Sequence, residues 1–413
     1  MAAKNIFYAQ SGGVTSVINA TACGLIETAK QYPDVFGKVL VGKNGIIGAL
    51  NNELIDTSLE SATDIAKLKY TPAGAFGSCR HKLPDPKVDI APYKKLIEIF
   101  KKNNIGYFFY NGGGDSQDTT YKISQISKEL DYELMCIGLP KTIDNDLPIT
   151  DTCPGFGSVA KYVAVSIREA GLDVLSMAQS STKIFVMEVM GRHTGWIAAS
   201  SGLAAEANHQ APHIILFPEV PFDQKSFFEK VKYSVDNFKH CAIVVSEGLK
   251  DKNNNLLQKS ANTDAFGHAQ LGGLAPFIAN LVTENLGYKN HWAVCDYLQR
   301  SARHIASKTD VDQAYALGEA GIKSALKNMD GIMLTIKRLS DKPYKWAIDH
   351  VSLDAVANIE KHLPLDYITQ DGFHITDKCR EYLSPLIQGE DYPNYVNGLP
   401  DYVMLKNELY ISG

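Results

Sequence analysis

Short apolar runs alternate along this chain with longer segments in which apolar residues recur at helical spacing. That pattern predicts an α/β fold built on mostly parallel sheets flanked by helices. The runs expected to be strands are Asn5–Ala9, Gly106–Tyr110, Glu133–Leu139, Lys183–Met187, His213–Phe217, Ala242–Ser246 and Gly331–Ile336. In open sheets of this kind ligands sit beyond the carboxyl ends of the strands. Three of the runs end directly in polar or glycine-rich loops, Gln10–Gly13, Asn111–Ser116 and Pro140–Asp146, so these loops are expected to converge. Asp251–Asn255 reads as a polar surface insertion and Gln388–Pro400 as a turn-rich tail. No internal repeat or low-complexity tract is present in the sequence.

With 413 residues, 45% of them apolar, the chain is long enough for two lobes, each with its own core. A formal charge of -5 excludes bulk electrostatic binding to nucleic acid or to an anionic membrane, so a phosphate ligand would have to be held by a few placed cations. The seven cysteines show no CxxC pair or regular spacing and read as reduced thiols. The opening MAAKNIFYAQ lacks the long apolar stretch of a signal peptide, and no segment approaches a membrane span, so a cytoplasmic protein is expected.

The candidate chemistry lies in two of the loops. Asn111-Gly112-Gly113-Gly114-Asp115-Ser116 and Pro140-Lys141-Thr142-Ile143-Asp144-Asn145-Asp146 together supply glycine backbone, a lysine and three carboxylates. Phosphoryl transfer asks for those groups: close backbone approach to phosphate oxygens, countercharge, a metal, and a base for the acceptor hydroxyl. No GxxxxGK[ST] stretch occurs, which excludes a Walker-type loop. Gly155-Phe156-Gly157-Ser158-Val159-Ala160 follows Asp151–Pro154 and not a strand, so it is a poor dinucleotide fingerprint.

Each candidate also has a plainer reading. A glycine pair such as Gly12-Gly13 is often a tight turn, Arg80 and Lys82 could be a solvated surface pair, and Asp144 could cap an Asx-turn. Glu247 or an arginine in a strand-end loop could belong to a structural ion pair. The combination is more telling than any member. Gln10–Gly13, Gly77-Ser78-Cys79-Arg80, Gly112–Ser116, Pro140–Asp146, Met187–Arg192, Ser246-Glu247-Gly248 and Tyr297-Leu298-Gln299-Arg300 resemble, in order and spacing, the motif series of the phosphofructokinases, and most nearly the diphosphate-dependent branch.

The resemblance implies two similar lobes with the active site in a cleft between them. Residues 1–150 with about 298–350 would bind diphosphate, and residues 151–297 with about 351–413 would bind the sugar phosphate. It implies reversible, Mg²⁺-dependent transfer of a phosphoryl group from diphosphate to the 1-hydroxyl of fructose 6-phosphate, by a homo-oligomer, dimer or tetramer. Asp144 would be the base and Asp146 would orient the base or a metal-bound water. Arg80 and Lys82 would face the transferring group, with Gly13, Gly113 and Ser116 at the diphosphate. Thr142 and Ile143, Met190, Gly191 and Arg192, Glu247, and Tyr297, Leu298, Gln299 and Arg300 would hold the sugar phosphate. Lys183 would reach a neighbouring subunit's sugar phosphate, and either His291 or Lys289 would fill a further cationic position.

Gly114 departs from the family, which usually has Asp or Asn there to reach the magnesium or its water. Donor choice is expected to turn on Asp115, a negative charge where relatives that use ATP have glycine, and on Lys141, a cation for the leaving phosphate. An ATP-dependent kinase and a non-catalytic sugar-phosphate sensor are the two other readings.

Overall fold

A computed structural model describes residues 3–258 and 271–411. Among them the strands of the two larger sheets are, in chain order, β1 (Lys4–Gln10), β2 (Phe36–Gly42), β3 (Leu54–Asp56), β4 (Ile105–Gly112), β5 (Met135–Pro140), β6 (Ile184–Val189), β7 (Ile214–Leu216), β8 (Cys241–Ser246), β9 (Asn290–Val294), β10 (Ile332–Asp341) and β11 (Tyr344–Ser352). Each apolar run expected to be a strand is one. Two compact units divide the chain: Met1–Gly155 with Arg303–Glu360 and Gly389–Gly413, and Phe156–Ala302 with Lys361–Gln388.

The first unit holds a sheet in the order β11-β10-β5-β4-β1-β2-β3. Its strands are parallel except at the two edges, where β3 runs against β2 and β11 against β10. Helices cover both faces, which is why β1 and β4 read as nearly continuous apolar runs and not as alternating ones. Ile6 and Tyr8 face a core shared with Leu25, Leu317 and Ile322, while Phe7 and Ala9 face one shared with Leu96, Phe100 and Ile126.

The second unit holds β7-β8-β6-β9, all parallel. Its core joins Ile184, Val186, Ile243 and Val245 to Phe227 and Val231 of helix Gln224–Phe238 and to Ile278 and Val282 of helix Leu274–Leu286.

The tail corrects one expectation. Residues 389–411 are expected with the sugar-phosphate lobe and pack instead on the first unit. Arg303, fully buried, donates to the carbonyl and carboxylate of Asp391 and to the Lys69 carbonyl. Further along, Asp56 and Tyr410 exchange backbone hydrogen bonds with Glu408 and Leu54, and Leu409 bridges Ile55. The tail thereby covers the outer edge of β3, a strand edge that would otherwise be unpaired.

Candidate active site

In the first unit the three expected loops lie side by side because their strands do. β1 runs beside β4 up to Gln10 opposite Asn111, and β4 beside β5 up to Gly112 opposite Pro140, so parallel carboxyl ends finish at one edge. Ser11 N–H donates to the Asn111 carbonyl at 2.9 Å and Lys141 N–H to the Gly112 carbonyl at 3.2 Å. A fourth segment joins them. Cys79 bridges Ser11, its carbonyl accepts from Gly12 N–H at 2.9 Å, and the Ser78 hydroxyl donates to the Gly12 carbonyl at 2.8 Å. Arg80 and Lys82 follow on this segment, both exposed. Gly12 has φ +73°, a conformation that favours glycine, and makes the tight turn that brings Gly13 round.

Lys141 crosses this floor. Its side chain is only 4% exposed, and Nζ donates to the Gly13 carbonyl at 2.5 Å. Beyond it the loop is braced. Asp144 N–H donates to Thr142 Oγ1 at 3.1 Å, and Asn145, at φ +54°, accepts from Cys153 N–H at 3.0 Å. Thr142 Oγ1 thus caps the turn at Asp144. Ile143 is buried, whereas Asp144 and Asp146 are half-buried.

Gly113 precedes helix Gly114–Glu129, whose start carries no side-chain cap, so its first N–H groups are available to an anion. Ser116 lies buried in the first turn. Asp115, also in that turn, accepts from Lys82 Nζ at 2.8 Å.

Sequence reasoning missed Gln117. Fully buried, it donates through Nε2 to the carbonyls of Gly112 at 2.9 Å and Leu139 at 3.3 Å, clipping the ends of β4 and β5 together. A Cβ on Gly138 would lie 1.8 Å from Gln117 Oε1. A glycine mid-strand opposite a buried amide is the signal that could have found it.

The second unit gathers its candidates by the same logic. β6 pairs with β8 and β9, and their carboxyl ends lead into Met190–Arg192, Glu247 and helix Asp296–Ser301. Gly191, at φ +132°, donates its N–H to Glu247 Oε1 at 3.3 Å, and its carbonyl accepts from the Ser246 hydroxyl at 2.7 Å. Burial raises Glu247 above the usual carboxylate range, against the opposing pull of the Gly191 N–H and Arg192. Gln299 is buried, accepting from Met190 N–H at 3.3 Å and donating to the Asp296 carbonyl at 3.0 Å, so it joins two of these segments. The Arg300 guanidinium stacks 3.9 Å from the centre of the Tyr297 ring. Tyr297 and Leu298 are exposed.

Glu188, beside these residues on β6, carried no expected role. It is buried, and Oε2 accepts from Ala275 N–H at 2.8 Å at the start of helix Leu274–Leu286. Lys183 stands apart from the cluster, at the amino end of β6, where Nζ donates to the Ala178 carbonyl at 2.5 Å. Lys289 and His291 share that end, with the Lys289 carbonyl accepting from Lys183 N–H at 3.0 Å and His291 opposite Phe185.

Among the described residues no group of three or more His, Cys, Asp or Glu side chains is arranged to hold a metal ion. A Cβ on Gly114 would meet nothing within 4 Å. Oxygen donors with open space beside them suit an ion that keeps its waters and comes with a phosphate, and do not make a protein cage.

The phosphofructokinase family profile matches residues 5–318. The chain belongs to the phosphofructokinase family. A pyrophosphate–fructose 6-phosphate 1-phosphotransferase from Methylococcus capsulatus is 60% identical over 407 residues, 98% of this chain and 97% of that one. Another of that name, from Halomonas elongata, is 57% identical over 405 residues, 98% and 97% of the two chains. The crystal structure of a pyrophosphate-dependent phosphofructokinase from Marinobacter aquaeolei superposes with a TM-score of 0.92 at 54% identity, covering 99% of this chain and 98% of that one. Among the described residues of this phosphofructokinase no helix is long and apolar enough to cross a membrane.

Proposed function

We propose that this phosphofructokinase transfers a phosphoryl group reversibly from diphosphate to the 1-hydroxyl of fructose 6-phosphate, giving fructose 1,6-bisphosphate and phosphate. The observation that carries the donor assignment is Lys141, a nearly buried ammonium set against the Gly12-Gly13 turn. Relatives at 60% and 57% identity that span almost the whole chain bear a name specifying the same donor and acceptor.

The geometry of each unit supports the following roles. Gly13, Gly113, Ser116 and the uncapped start of helix Gly114–Glu129 offer backbone to the diphosphate, with Arg80 and Lys82 as countercharge. Asp144, held on the turn capped by Thr142, accepts the proton of the sugar's 1-hydroxyl as that oxygen attacks the terminal phosphorus. The bond from that phosphorus to the bridging oxygen breaks, and Lys141 offsets charge on the departing phosphate. Met190–Arg192, Glu247, Tyr297 and Arg300 hold fructose 6-phosphate. The family implies a divalent metal; we take it to be Mg²⁺, held by the diphosphate and by Asp146 through water, where it would neutralise charge on the transferring group.

We further propose a cytoplasmic homo-oligomer, dimer or tetramer, in which Lys183 with His291 or Lys289 serves a neighbouring subunit. That reading is supported by their grouping at the far end of β6 and β9 and by the outward Trp292 and Val294. The deciding experiment compares diphosphate with ATP as donor at fixed Mg²⁺ and fructose 6-phosphate. Diphosphate should support turnover and ATP little; a preference for ATP would overturn the donor assignment.

A further inference from the structure

Asp115 and Lys82 come from different motifs, and the sequence assigns them separate tasks: the lysine attracts diphosphate and the carboxylate repels a nucleotide. Their side chains are not independent, since Lys82 Nζ donates to Asp115 Oδ1 at 2.8 Å. An ammonium so close offsets most of the carboxylate's field on an approaching anion. The lysine gains as well. Its long stem carries much rotamer freedom, part of which the contact has already removed. Three N–H donors sit on an ammonium, so one given to Asp115 leaves others for a phosphate oxygen. The same helical turn also presents N–H groups without a side-chain cap.

We propose that Asp115 is a positioning residue: it holds the Lys82 ammonium beside the amino end of helix Gly114–Glu129 for use by diphosphate, and so favours the anion that its own charge would repel. This rests on the donor-site reading above.

The sign of one substitution separates the two accounts. A bare repulsive charge, once removed, lets diphosphate bind more tightly; a lost positioning contact makes it bind more weakly. The experiment measures Kd for inorganic diphosphate by calorimetry on the full chain, with kcat and both KM values, for wild type, Asp115→Ala, Lys82→Ala, the double variant and Lys82→Arg. Lys82→Ala should raise Kd about tenfold, the scale of a charge-assisted hydrogen bond. Asp115→Ala should raise it about two- to fivefold, the scale of an ion pair whose members are 46% and 48% exposed. Fructose 6-phosphate KM should hold in both. Adding Asp115→Ala to Lys82→Ala should then lower Kd, because repulsion alone remains. Lys82→Arg, which keeps the pair, should stay within about threefold of wild type.

Tighter diphosphate binding by Asp115→Ala with Lys82 present would overturn the inference, and so would single effects that simply multiply in the double variant. A wild type that does not bind diphosphate would instead sink the donor-site reading and this inference with it. Because both side chains reach solvent, the variants should fold, and their melting temperatures check that.

Discussion

Lys141 Nζ donates to the Gly13 carbonyl at 2.5 Å, so the residue that follows β5 reaches across to the turn that follows β1. With β4 lying between those strands, strand register fixes this cation within the glycine-lined floor.

Removing it should therefore act on turnover. Lys141→Met keeps most of the buried stem and deletes the charge. We expect kcat with diphosphate to fall by about two orders of magnitude, the scale for losing one preorganised group facing developing charge, with fructose 6-phosphate KM within a few-fold. Steady-state kinetics decide it: an unchanged kcat would remove Lys141 from the mechanism.

Asp144→Asn keeps the turn's backbone bond to Thr142 and removes the proton acceptor. At least about a hundredfold loss of kcat is expected, with diphosphate and sugar-phosphate binding nearly unaltered. A variant that turns over at the wild-type rate would show that another group takes the proton.

Gly191→Ala tests the sugar-phosphate end alone. An alanine there must leave φ +132° or place its Cβ 2.7 Å from the Thr194 carbonyl, and the shift would drag Arg192 with it. Fructose 6-phosphate KM should rise by about tenfold or more, while calorimetric diphosphate binding is kept. Equal losses for both substrates would mean that the change spreads beyond the second unit.

The sequence was most legible where burial is greatest. β1, β4, β5, β6, β8 and β10 lie inside their sheets and β7, though an edge strand, is fully buried, so their unbroken apolar runs announce them. β9 and β11 lie at sheet edges, where exposure admits Asn, Lys and His, β3 is only three residues long, and β2 carries Lys38 amid its apolar residues; none of these four stands out as an apolar run. The same divide runs through the site. Loops that leave adjacent strands had to converge, because parallel order carries their ends to one edge. Contacts between segments distant in sequence left no local trace: Lys82 with Asp115, Glu188 with Ala275, and the Arg303 and Asp391 contact that returns the tail to the first unit. Each depends on tertiary placement that periodicity does not encode.

The second unit should also lose stability in mild acid. His213 Nδ1 accepts from Ala242 N–H at 3.0 Å, and the ring lies edge-on to His240 at 4.6 Å, with His209 and His374 also acting on it. Burial, followed by the charge of His240, holds His213 down to about 3; burial likewise lowers His240 and His374. In the fold these rings are neutral, whereas in the unfolded chain they take up protons below the usual 6.5. The unfolded state then binds more protons, so stability is fully present above that pH and falls as pH drops, by about 1.4 kcal/mol per pH unit for each fully titrating ring. Melting curves from pH 7.5 to 5 should show the decline. His213→Asn offers an acceptor to Ala242 N–H and does not titrate, so its decline below about pH 6.5 should be shallower. Comparing the two slopes separates this ring from Glu188, Glu219 and Glu247, which burial raises and which act in the opposite direction. Identical slopes would mean that His213 takes up its proton in the folded protein as readily as in the unfolded chain.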